Sequence, residues 1–127
     1  MTEHWHSLSI KTDTVANTIL AEAVVPPESP WFMGHFPKDP ILPGIALISM
    51  AVDTIKQHES KKRSNIRITG VRRVRFKKPV RPNDAISISI QQENKELGPS
   101  YSFKISVNGD MACTGIISEK LFQQIIA

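Results

Sequence analysis

Of the four histidines in this chain, one stands where it could do chemistry. His35 follows Gly34 inside the segment Ser29 to Gly44, which carries Pro30, Pro37, Pro40 and Pro43 among Trp31, Phe32, Met33, Phe36, Ile41 and Leu42. Prolines at that density forbid a helix or a central strand and predict an ordered loop of fixed, extended shape. Its apolar content is too high for a solvated linker, and a loop this long inside a compact domain is usually functional. Pro43 sits where a helix takes its first-turn proline. A helix starting there offers amides without intrahelical acceptors. They can hold an oxyanion, such as the one that develops on a thioester carbonyl. His35, nine residues before Gly44, can face a pocket floored by that helix. His4 and His6 flank Trp5 near the first residue, and His58 lies at the expected helix end, where a cation suits the dipole. No residue cluster asks for a metal or an organic cofactor.

The elements that must position His35 follow from periodicity. Residues 7–13 alternate apolar and polar as a short strand, and residues 17–25 form a second that ends at Pro26-Pro27. Ile45 to His58 reads as a helix whose first two turns are apolar nearly all round, so that it is buried on most sides. Glu59 to Ser64 is a charged connector. Residues 66–78 are rich in β-branched and basic residues; Pro82-Asn83-Asp84 is a turn; residues 85–90 put Ile86, Ile88 and Ile90 on one face. A turn at 96–99 precedes a strand with Tyr101, Phe103, Ile105 and Val107 on one face. Asn108-Gly109 is the strongest hairpin signal in the chain, and a last strand runs over 111–118, followed by a short C-terminal helix. One largely buried helix among long antiparallel strands implies an α+β domain whose sheet wraps that helix.

The 127 residues amount to one domain, 1–127, with 40% hydrophobic and 22% charged residues, a globular composition. A single cysteine, Cys113, excludes an internal disulfide. No apolar run approaches the ~20 residues of a membrane span, and the N-terminal residues lack a secretory pattern. A cytoplasmic protein is expected. The net charge of +4 is below that of a dedicated nucleic-acid binder.

Residues 30–47, Pro-Trp-Phe-Met-Gly-His-Phe-Pro-Lys-Asp-Pro-Ile-Leu-Pro-Gly-Ile-Ala-Leu, resemble the signature of the β-hydroxyacyl-acyl carrier protein dehydratases of the hot-dog fold. Gly34, His35, Phe36, Pro37, Pro40, Pro43 and Gly44 are in register with it. A second block, Gly70-Val71 and then Val74 to Asp84, is similar to the family's strand and turn, with Asn83 in place of a usual glycine and able to enter the left-handed region. The resemblance covers roughly residues 7–118. It implies an antiparallel sheet around one long central helix, and a (3R)-hydroxyacyl-thioester dehydratase of fatty acid or polyene/polyketide-type biosynthesis. In it His35 removes the α-proton, the Gly44 amide polarises the thioester carbonyl, and the Ile41 carbonyl orients the imidazole. Phe36, Ile41 and Pro43 would line the substrate site. No metal or cofactor is implied. The partners implied are an acyl carrier protein or a coenzyme A thioester, and a second subunit in a homodimer or heterodimer, with higher assembly open.

Two positions depart from the family pattern. The general acid that protonates the leaving hydroxyl is a Glu or Asp fourteen residues after the histidine, contributed across the dimer interface; here that residue is Ser49. A serine hydroxyl cannot replace a carboxyl in that role. Asp53, one turn further and on nearly the same face, is a substitute acid or a solvated helix residue. Lys38 replaces the glycine that follows the His-Phe-Pro. Arg73, Arg75 and Lys77 alternate onto one strand face, opposite Val74 and Phe76. They form either a solvated surface or a docking site for an acidic carrier protein, with Lys61, Lys62 and Arg63 nearby. The same residues leave two other functions open: an acyl thioesterase with Asp53 activating water, or a non-catalytic subunit that pairs with an acid-bearing dehydratase.

Overall fold

The computed structural model describes residues 7–11, 17–32, 40–60, 66–95 and 98–121. Six antiparallel strands form one sheet: β1 (Ser7–Lys11), β2 (Thr18–Val24), β3 (Ile66–Phe76), β4 (Ile86–Lys95), β5 (Gly98–Val107) and β6 (Asp110–Leu121), in the spatial order β1-β2-β4-β5-β6-β3. The helix α1 (Gly44–Ser60) lies on one face. It touches β1 and β3, which form opposite edges of the sheet, so the sheet curls around it.

Strict alternation drives this arrangement. Ile19, Ala21 and Ala23 of β2, Ile86, Ile88 and Ile90 of β4, Tyr101, Phe103, Ile105 and Val107 of β5, and Cys113 and Ile117 of β6 are all buried. Their inward side chains meet Ala46, Leu47, Met50, Ala51, Thr54 and Ile55 of α1, which are also buried. Thr54 is tolerated there because its hydroxyl donates to the Met50 carbonyl at 2.8 Å. The helix is less enclosed than its composition predicts. Ile45 is 58% exposed, and Ile48, Ser49 and Val52 on the same side are only half-buried.

Two loops are stapled to each other at one end of the sheet. Asn108 and Gly109 both have positive φ, 50° and 88°, as the Asn-Gly turn demands. The Asn108 side chain accepts from the Ala85 N–H at 3.1 Å and donates to Asp84 at 3.2 Å. Asp84 in turn accepts from the Arg81 N–H at 2.8 Å, and the Asn83 N–H donates to the Val25 carbonyl at 2.9 Å. Asn83 sits at φ 65°, the conformation that its replacement of glycine requires.

Differences from the expected boundaries are mostly extensions. The strand expected over 85–90 continues to Lys95, and the last strand reaches Leu121. The helix takes in Glu59 and Ser60, expected in the connector. Pro30–Phe32 forms a single 3-10 turn where only extended chain was expected; proline fits because it opens the turn, where its missing N–H costs nothing. The expected C-terminal helix lies outside the described residues. No helix among the described residues is long and apolar enough to cross a membrane.

Candidate active site

Pro40 and Pro43 hold the chain extended as it approaches α1, and Leu42 between them is buried. Its N–H donates to the Val80 carbonyl at 2.8 Å, and Val80 is itself wholly buried beside the stapled loops. The Ala46 N–H donates back to the Pro43 carbonyl at 2.9 Å and closes the first turn. Gly44, the first helical residue, has no intrahelical acceptor for its N–H, and none of the described residues accepts from it. The helix start is therefore a fixed donor.

Gly44 is not glycine for the sake of φ, which is not positive. It is glycine for space. A Cβ there would lie 2.6 and 2.7 Å from Cζ and Cε1 of Phe76. That ring belongs to the last residue of β3, and 54% of Phe76 is exposed. Around the contact lies a cavity of about 420 Å³, walled by Ile41, Gly44, Leu47, Phe76, Pro79 and Val80. Lys77 and Lys78 also border it. Lys78 is ion-paired with Asp110, and that hydrogen bond and charge hold the Asp110 carboxyl below the usual carboxylate range. An apolar wall with basic neighbours, and with an amide donor that none of the described residues engages, suits an acyl group whose carbonyl accepts a hydrogen bond.

A break in β3 aims Phe76 at the helix. Val71 pairs with buried Ile117, and Arg72 pairs with Ile116 on the outer face. The next matched pair is Arg75 with Thr114, again on the outer face, and Phe76 then pairs with buried Cys113. One extra residue is thus inserted, and Arg73 carries it at φ 55°. Val74 faces inward against Gly115, where a Cβ would be 3.2 Å from its methyl. The expected alternation holds for Val74, Arg75 and Phe76. It fails for Arg73, which is the bulge residue; Arg72 takes the outward position beside Arg75. The bulge had a signal in the sequence: Val71 and Val74, three apart, cannot both face inward in a regular strand.

The other expected site residues divide as follows. Ile41, Pro43 and Gly44 stand together at the helix start, with Ile41 and Gly44 in the cavity wall. Ser49 and Asp53 are half-buried on α1 and do not line that cavity. Ser49 lies five residues beyond Gly44, about 7.5 Å along the axis and roughly 140° around it. Asp53 is about 13 Å along and on the opposite side. Arg75 and Lys77 are exposed. His35, Phe36 and Lys38, and likewise Lys61, Lys62 and Arg63, lie outside the described residues. Cys113 is a buried residue of β6, and desolvation pushes its thiol up to about 11; it does not line the cavity.

The chain matches the model of the ApeI-like family, described as ApeI dehydratase, over residues 11–116. Among curated relatives, a 3-hydroxyacyl-[acyl-carrier-protein] dehydratase FabZ of Haemophilus influenzae is 36% identical over 90 residues, covering 66% of this chain and 61% of the relative. The chain thus spans about three-fifths of the length of the curated relatives it matches. Among solved structures, the dehydratase heterocomplex ApeI:P from Xenorhabdus doucetiae superposes with a TM-score of 0.70 at 22% identity, over 86% of this chain and 92% of that one. A hypothetical thioesterase of Streptococcus pneumoniae TIGR4 that carries coenzyme A superposes at 0.72 with 11% identity, over 93% and 88%. At these identities the two structures share the hot-dog fold with this chain.

Proposed function

We propose that this chain, which belongs to the ApeI-like dehydratase family, removes water from 3-hydroxyacyl thioesters and does so with an acid supplied by another subunit. The observation that carries the reading is the Gly44 N–H at the start of α1, from which none of the described residues accepts, beside an apolar cavity large enough for an acyl group.

The chemistry follows from what each group can do. The Gly44 amide donates to the thioester carbonyl and stabilises the negative charge that develops on its oxygen when the α-proton leaves. His35 takes that proton. The electron pair of the broken C–H bond forms the C=C bond as the C–O bond to the 3-hydroxyl breaks, and the departing hydroxide needs a proton to leave as water. Among the described residues no carboxyl lines the Gly44 cavity. Ser49, at the family's acid position, is a hydroxyl and does not line the chain's own cavity, as suits a residue that serves a neighbouring subunit's site. A related subunit that carries a carboxyl at the corresponding position supplies the missing acid. A dehydratase heterocomplex of this fold, ApeI:P from Xenorhabdus doucetiae, supports pairing with a different subunit.

The acyl group would arrive on an acyl carrier protein, as the name of the Haemophilus influenzae relative implies for that protein, or on coenzyme A. Exposed Arg72 and Arg75 on the outer face of β3, with Lys77 following, present the positive charge that an acidic carrier would meet. Such docking raises the association rate and weakens with salt.

The deciding experiment incubates the purified chain with 3-hydroxyacyl and 2-enoyl thioesters, alone and with an acid-bearing related subunit, and follows products by mass spectrometry. Loss or gain of one water is expected, strongest with the partner present. His35→Ala should lower it by at least ~100-fold, and Ser49→Glu should raise the activity of the chain on its own. Release of free acid without enoyl product would instead make the protein a thioesterase.

A further inference from the structure

We propose that Phe76 is a specificity-determining residue of this cavity: its ring, seated on Gly44, reserves the space beside the thioester α-carbon for acyl groups that are unbranched there. The proposal deepens the function proposed above and rests on the same placement of the carbonyl at the Gly44 amide.

The geometry is close enough for the ring to be felt. The ring edge lies 2.6 Å from where a Gly44 Cβ would be, a point about 2.5 Å from the Gly44 nitrogen. The ring edge is therefore within about 5 Å of the amide. A carbonyl oxygen bonded to that amide sits about 2.9 Å from the nitrogen. The carbonyl carbon and then the α-carbon follow, each roughly 1.2–1.5 Å further, so the α-carbon also comes within about 5.5 Å of the amide. Ring edge and α-carbon thus both lie within about 5.5 Å of one nitrogen, in a cavity whose wall includes both Gly44 and Phe76. Carbon atoms need about 3.5–4.0 Å between them. A methyl branch on the ring side would compete with the ring for that space.

Two further features indicate that the ring is placed for the cavity and not for the core. Phe76 is more than half exposed, unlike Tyr101 and Phe103, which fill the interior. It faces inward only because β3 spends an extra residue at Arg73, held in the left-handed region that an arginine seldom adopts. Loss of the ring should widen this end of the cavity and leave the buried cluster in place.

Hexanoyl-coenzyme A and 2-methylhexanoyl-coenzyme A test this directly, because neither carries a 3-hydroxyl and so neither can lose water. Their affinities are measured by calorimetry for the wild-type protein, for Phe76→Ala and for Phe76→Leu, with the partner subunit present where one co-purifies. A single methyl in a fitted pocket discriminates by about 10–200-fold. The wild type should bind the unbranched thioester at least about tenfold more tightly, Phe76→Ala should bring the two within about threefold, and Phe76→Leu should fall between. Urea unfolding of each variant confirms that the compared proteins are folded. A ratio unchanged in Phe76→Ala overturns the proposal, and so does a wild type that binds the two thioesters alike or binds neither. Water loss from 3-hydroxyhexanoyl thioester is measured separately. A protein that discriminates in binding yet never dehydrates keeps the role of Phe76 and loses the proposed reaction.

Discussion

Replacing Gly44 by alanine separates space from conformation as the reason for glycine at the start of α1. The φ of Gly44 is not positive, so alanine suits the backbone and should gain about 0.4–1 kcal/mol through the unfolded chain. Against this, the new Cβ would meet the Phe76 ring at 2.6 and 2.7 Å, where carbon atoms want about 3.5 Å. The ring must retreat by about 1 Å, and overpacking of that kind costs roughly 1–3 kcal/mol. Because Phe76 is half exposed it can swing outward, which places the cost in the lower part of that range. The net expectation is a loss of about 0.5–1.5 kcal/mol. In a Phe76→Ala background the obstacle is gone, and the same substitution should be neutral or stabilising by up to ~1 kcal/mol. The four proteins form a double-mutant cycle, read by urea unfolding, with an expected coupling of about 1–2 kcal/mol. Gly115→Ala is the contrast. Its Cβ would meet Phe103 at 2.6 Å with Val74 at 3.2 Å on the other side, and Phe103 is only 1% exposed. That ring has no way out, so the loss should reach about 3 kcal/mol or more. If Gly44→Ala costs the same with and without the Phe76 ring, the spatial explanation of this glycine is wrong.

Arg73→Gly should stabilise the protein by about 0.5–1 kcal/mol, because relief of the left-handed conformation exceeds glycine's added chain entropy; a loss of stability in urea titration would show that the arginine side chain outweighs its backbone. Burial raises the Cys113 thiol to about 11 from an ordinary value of 9.0. The folded state then holds its proton more tightly than the unfolded one, so its contribution is intact below about pH 9 and is lost as pH rises towards 11. Unfolding followed from pH 8 to 11 should show a steeper decline for the wild type than for Cys113→Ala, and parallel curves would refute this. Asp110 is shifted the other way, so its contribution is present above its ordinary value of 3.8 and disappears as pH falls through its lower folded value. Its carboxyl resonance should titrate below 3.8 and move back up in Lys78→Ala; a titration that Lys78→Ala leaves in place would remove Lys78 as the cause.

Much of the fold was legible because burial in a sheet leaves a period of two. The runs Ile86-Ile88-Ile90 and Tyr101-Phe103-Ile105-Val107 name their own inner faces, and both are buried as written. Asn83 and Asn108 reveal their backbone by type, and both take positive φ. The open side of α1 was not legible: Ile45 and Ile48 read as core residues, and composition cannot say that a helix outgrows its own sheet. The ends of β4 and β6 were hidden for a similar reason, since polar residues such as Gln91 and Glu93 continue a ladder when the neighbouring strand offers pairs. Within the site, the helix start with Pro43 and Gly44 could be read in advance. The seat of Phe76 on Gly44 could not, because the spacing of Val71 and Val74 signals an irregularity in β3 but only the pairing with β6 places the extra residue.

That count has a consequence for how such a site changes over time. Without Arg73 the ladder would run straight from Arg72 through Val74, and Arg75 would still face outward and Phe76 still reach the helix start. With Arg73 kept but taken into a regular strand, the parity of everything after it reverses: Arg75 would turn towards the helix start and Phe76 towards solvent. A related chain lacking that residue, aligned to this one without a gap, would match Phe76 with a side chain on the wrong side of the sheet. Within this fold, the wall at the helix start can survive a deletion in β3 but not a straightened strand of full length.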